Sequence, residues 1–117
     1  MAEGFADWTD VTAFALTLPG TAMGSYYGQP APKVFGKAFL GFGREPSSFV
    51  LMLPMAEKEV LLEAAPEIFW QTDHYRGWPA VLVRFGQGER DWLERLVVRA
   101  WWDKAPAVQR KAHGSRP

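Results

Sequence analysis

The sequence predicts a two-layer α+β domain, an antiparallel sheet with helices on one face, in the order α-β-β-β-α-β-β-α. Apolar residues recur at spacings of three and four near both ends and in the middle of the chain, which is helical periodicity. Between those segments lie short apolar runs bounded by Gly and Pro, which read as strands. The chain has 117 residues, 48% hydrophobic, with six Trp. That is the length of one domain and enough apolar matter for a core without metal or disulfide. Runs of strands between helices favour the α+β class.

In "DWTDVTAFALTLPG", Trp8, Val11, Ala15 and Leu18 share one helical face. Asp7 or Thr9 suits the N-cap, and Pro19-Gly20 stops the helix. A short strand is expected around Met23–Tyr27. "PKVFGKAFLGFG" reads as a hairpin with Gly36-Lys37 in a type II′ turn; Phe35, Phe39 and Leu40 would pack, and Lys33 and Lys37 would be solvated. "SFVLMLP" reads as a central strand. "PMAEKEVLLEAAP" is a helix with Pro at its start and after its end, and Glu57, Glu59 and Glu63 make its outer face acidic. "EIFWQT" and "PAVLVRF" are two more strands. "GQGERDWLERLVVRAWWDKAP" is the strongest helix. Trp92, Leu93, Leu96, Val97, Ala100 and Trp101 form its apolar stripe, and Asp91–Arg95 and Arg99–Asp103 are spaced to pair at i,i+4. The domain is expected over residues 1–106, followed by a flexible basic tail at 107–117.

Cysteine is absent, which excludes disulfides, a thiolate nucleophile and Cys-ligated metal. The acidic opening "MAEGFADWTD" lacks the charged and apolar regions of a signal peptide. No apolar run approaches the ~18 residues of a membrane span. A cytoplasmic protein without a membrane partner is the expectation. Thirteen basic and thirteen acidic residues cancel to zero net charge, so any nucleic-acid binding would require segregated charge.

Four segments, in order and spacing, carry a family resemblance: the "LPGT" corner, the "KVFGKAF" hairpin, "HYRGWPAVLV" before the last strand, and "VVRAWWDKAP" in the last helix. Over roughly residues 7–106 the chain resembles the MmcQ/YjbR family of small bacterial proteins. The resemblance implies a fold akin to the type III secretion chaperone-like α/β layer. It also implies DNA binding, since members are described as DNA-binding proteins with a double-wing arrangement. The chain departs from the family pattern at Trp101-Trp102, where Ser-Tyr is usual. It departs again at Arg76-Gly77, which replaces an Asn-Lys and so removes one lysine from a nucleic-acid contact.

No residue pattern points to catalysis. His74 has no nucleophile and orienting acid in a recognisable arrangement, and the motifs of hydrolases, zinc proteases, calcium loops and phosphate loops are missing. A non-enzymatic protein with no catalytic residue, metal or cofactor is expected. The cluster His74, Tyr75 and Trp78, with Arg76, reads first as a packed loop-to-strand corner and second as a recognition surface. Outside the last helix the basic residues are Lys33, Lys37, Arg44, Lys58, Arg76 and Arg84, plus the tail. If the hairpins are wings, Lys33, Lys37, Arg44, Arg76 and Arg84 should form one positive face for DNA phosphates. The alternatives are a protein-interaction module resembling secretion chaperones, with an aromatic surface at Trp101 and Trp102, and a small-ligand pocket between helices and sheet.

Overall fold

The computed structural model describes residues 3–117. It is an α+β fold whose sheets are antiparallel throughout. Helix α1 spans Trp8–Ala15, and Asp7 caps it by accepting the Asp10 amide at 2.8 Å. Strands β1 (Thr21–Tyr26), β2 (Gln29–Val34) and β3 (Lys37–Ala38) form a meander. Strands β4 (Leu40–Gly41), β5 (Ser48–Met52), β6 (Phe69–Trp70) and β7 (Ala80–Arg84) form a second sheet in the order β4-β5-β7-β6. The expected single sheet is thus divided at Phe39, the one residue between β3 and β4. Helix α2 (Met55–Ala64) joins β5 to β6, and α3 (Arg90–Lys104) follows β7.

Strand alternation sorts the sheet's side chains. Phe49 and Leu51 of β5, with Val81 and Val83 of β7, face the helices. They join Phe5, Val11, Phe39, Leu40 and the α3 residues Leu93, Leu96, Val97, Ala100 and Trp101 in the main core. Val50, Ala80 and Leu82 face the other way, into a smaller cluster covered by Trp70 and Tyr75. The sheet therefore buries apolar residues on both faces, which explains the unbroken apolar runs "SFVLM" and "AVLV".

Several local expectations are corrected. The β2–β3 turn is Phe35-Gly36, with φ of 47° and 83° and Val34 opposite Lys37. Two positive φ values make it type I′, which wants Gly second, not the type II′ turn that would put Gly first. Phe35 consequently sits at the tip and is 59% exposed. Trp92 is half-buried, edge-on to Phe69 at 5.4 Å.

The expected α3 pairs do not form among the described residues. Arg99 bonds Glu57 at 3.1 Å, and Asp103 takes Arg116 at 2.7 Å. For Arg99 and Asp103, partners from elsewhere in the chain displace the i,i+4 neighbour because the tertiary pairs are bidentate or networked, whereas an exposed helix pair contributes only about 0.3–0.5 kcal/mol; Asp91 and Arg95 make no ion pair among the described residues. Arg90, one residue before Asp91, holds both Asp10 oxygens at 2.9 and 3.1 Å and Glu94 at 2.9 Å, and ties α1 to α3.

Where the sequence suggests a frayed tail, Ala107–His113 form helix α4. His113 lies edge-on to Trp101 at 5.5 Å, and Arg116 bridges Glu57 and Asp103. Trp101 is 1% exposed and donates its indole N–H to the Pro19 carbonyl at 2.9 Å, so it cannot form the aromatic docking surface expected of Trp101 and Trp102. Trp102 is half-buried under the Arg110 guanidinium, 5.2 Å from its ring.

Candidate nucleic-acid interface

The hairpin β1–β2 turns at Tyr27-Gly28, with φ of 51° and 77°. This is again a type I′ geometry, whose first position favours Asn, Asp or Gly. A tyrosine there costs about 1–2 kcal/mol of backbone strain. The residue is 85% exposed, and its ring stands edge-on to Tyr26 at 4.6 Å. Phe35, at the equivalent position of the next hairpin, is different: its ring lies on Gly20, where a Cβ would collide with it. Packing accounts for Phe35 and does not account for Tyr27.

Tyr26 shares its face of the hairpin with Gly24 and Ala22, and with Lys33 opposite Ala22. The Lys33 stem lies over Gly24, where a Cβ would come within 2.7 Å of it. The Tyr26 ring in turn lies over Gly41, 3.6 Å from where a Cβ would stand, and the Tyr75 hydroxyl approaches Gly43 at 3.4 Å by the same measure. Small residues in the β4 region thus let two tyrosines settle on the sheet. Burial raises the pKa of both phenols. Tyr27 and Tyr75 add to the rise at Tyr26, while at Tyr75 the nearby Arg44 opposes it and Glu45 adds to it.

The stretch 73–79 presents the remaining rings. Asp73–Tyr75 form one 3₁₀ turn, and His74 stands edge-on to Tyr75 at 4.8 Å. Trp78 is 60% exposed. This turn is held from beneath by Lys58 of α2, which the sequence placed among the basic residues and gave no role. Lys58 is 1% exposed, and its Nζ donates to the carbonyls of Tyr75 at 2.6 Å and Trp78 at 2.8 Å. Burial lowers its pKa, against a small opposite effect of Glu59. The only sequence signal for this role is position: Lys58 lies one turn before Leu61 on the buried side of α2.

The five basic residues singled out from the sequence fall in different places. Arg44 lies beside Tyr75, and Lys33 on the Tyr26 face. Lys37 follows the Phe35-Gly36 tip, at the other end of β2 and about 17 Å from the Tyr27 end by strand rise. Arg76 pairs with Asp73 at 2.9 Å, both well exposed. Arg84 donates to the Pro66 carbonyl at 2.8 Å and lies 4.9 Å over the Trp70 ring. Lys33, Lys37 and Arg44 make no ion pair among the described residues. The arrangement is a run of aromatic rings, Tyr27, Tyr26, Tyr75, His74 and Trp78, bordered by Lys33 and Arg44.

The fold and this surface define a small α+β protein with an aromatic sheet face opposite its helices. The chain is 31% identical over 116 aligned positions to Uncharacterized protein Rv2570 of Mycobacterium tuberculosis (strain ATCC 25618 / H37Rv), and equally to Uncharacterized protein Mb2600 of Mycobacterium bovis; the match covers 86% of this chain and 90% of each relative. The chain belongs to the family of these mycobacterial proteins. No family model matches it, and no solved structure matches it.

Proposed function

We propose that the chain is a non-enzymatic binding protein of the MmcQ/YjbR kind that its motifs resemble, and that it takes nucleic acid on the aromatic face. The observation that carries this reading is Tyr27, a ring held almost fully in solvent at a backbone position that disfavours it. Strain of this kind persists where the side chain is needed for something other than packing. Exposed rings in a row offer stacking platforms for unpaired bases, each worth about 1–3 kcal/mol. Lys33 and Arg44 at the border suit the phosphates between those bases. Few cations are free on this face, so stacking outweighs charge, and a single strand fits better than a duplex.

Fluorescence anisotropy against an oligothymidylate strand and a duplex, at two salt concentrations, tests this. The single strand should bind more tightly, with a log–log salt slope of about −1.4 for two phosphates at about 0.7 each. Tyr27→Asn should remove most of that binding while raising folding stability by about 1 kcal/mol, because asparagine tolerates the turn. A duplex preference with a slope of about −3 to −4.5 would return the contact to basic wings. No binding to either probe at low salt would sink the nucleic-acid reading.

A further inference from the structure

A cleft of about 420 Å³ opens between the start of α1 and the β4–β5 loop, across that loop from the surface just described. Three aromatic rings stand in its lining, beside Pro46, Ser47 and Ser48. Trp8 and Phe42 meet at 5.5 Å with planes 89° apart, a corner of two perpendicular rings, and Phe85 adds a third. Two carboxylates, Asp7 and Glu45, stand in the same lining. Neither is in an ion pair among the described residues. The Asp7 side chain caps α1, accepting the Asp10 amide at 2.8 Å, and so offsets the positive end of that helix, while the Asp10 carboxylate is paired with Arg90.

We propose that this cleft binds a quaternary ammonium group. Ring faces attract a cation through their quadrupole, and carboxylates at the border add to that attraction. A primary ammonium would have to give up hydrogen bonds to water that rings cannot replace. A quaternary ammonium has no N–H to satisfy, so it loses far less on entering. An anion would face two carboxylates. A metal ion would need ligands that rings do not supply, and no group of three His, Cys, Asp or Glu side chains is placed to hold one among the described residues. The volume lies in the range of small-molecule sites, which commonly combine apolar walls with a few charged groups.

Isothermal titration calorimetry of the whole chain with choline, against its neutral isostere 3,3-dimethyl-1-butanol, tests the charge requirement. Choline should bind at least about tenfold more tightly than the alcohol. The double variant Asp7→Asn/Glu45→Gln should keep its fold, since asparagine caps a helix as well as aspartate does, and should weaken choline binding about fivefold to tenfold. Equal affinity for choline and the alcohol, no choline binding, or an unchanged double variant would each overturn the proposal. A peptide carrying trimethyllysine forms the second arm: tighter binding than choline assigns the cation to a methylated protein, and weaker binding assigns it to a small molecule.

Discussion

Lys58→Ala is expected to cost about 3–5 kcal/mol in folding stability, a large effect for one lysine on a helix. The side chain is 1% exposed, and its Nζ donates to the Tyr75 and Trp78 carbonyls, which also accept the amides of Trp78 at 3.0 Å and Ala80 at 2.8 Å. Truncation removes two hydrogen bonds from a charged donor, at about 1.5–3 kcal/mol each before the burial cost of the ammonium is returned, and removes a buried four-carbon stem. Lys58→Met keeps the stem and should recover part of the loss. Urea titrations of the three proteins measure both quantities, and a loss below 1 kcal/mol in the alanine variant would remove Lys58 from its structural role. Because the amine anchors the turn that carries His74, Tyr75 and Trp78, Lys58→Met should also weaken single-strand binding without touching the strand.

The pH dependence of that comparison has a definite sign. A protonated lysine has three N–H donors, and Lys58 finds acceptors for two of them. The neutral amine has two, and burial lowers the pKa below the ordinary 10.5. In the window between the lowered value and 10.5 the unfolded chain binds more protons than the folded one, so this group makes stability rise with pH. Tyr26 and Tyr75, raised above the ordinary 10.0, act in the opposite sense as pH rises past 10.0. The stability difference between wild type and Lys58→Met should therefore grow across the lysine window, because both proteins share the tyrosines. A flat difference would show that Lys58 is not desolvated.

Trp101→Ala is expected to cost about 3–5 kcal/mol by cavity formation in the centre of the main core. The substitution also removes the donor to the Pro19 carbonyl, which fixes the corner between α1 and β1, and the ring against which His113 of α4 packs. Thermal melts should show the loss, together with earlier proteolysis of residues 107–117. Trp102→Phe is the matched control. The Trp102 indole N–H is buried without a partner among the described residues, so deleting that donor should leave stability nearly unchanged or slightly raised. Equal losses in the two variants would contradict the different burial of adjacent tryptophans.

Local rules located the elements because local rules caused them. The spacing of Val11 and Ala15, the Asp7 cap, the Pro19-Gly20 stop and the stripe Leu93, Leu96, Val97, Ala100 and Trp101 all act within one or two helical turns, so the sequence displays them directly. The apolar run at 48–52 announced a central strand for the same reason. The I′ turns were within reach too, since an aromatic followed by Gly at Tyr27-Gly28 and Phe35-Gly36 places Gly at the second turn position.

What the sequence by itself determined is therefore the α+β class, the order of helices and strands, and most of the core. The division of the sheet at Phe39, the pairing of Arg90 with Asp10 and of Arg116 with Asp103, the burial of Lys58, and the gathering of Tyr26, Tyr75 and Arg44 were decided by tertiary structure alone. The physical reason is range. Helical and strand periodicity arise from backbone geometry shared by neighbours in the chain, whereas an ion pair or a buried amine depends on groups tens of residues apart. A charged residue carries no mark of whether its partner will be water, a carboxylate or, as for Lys58, two carbonyls of a turn seventeen and twenty residues away.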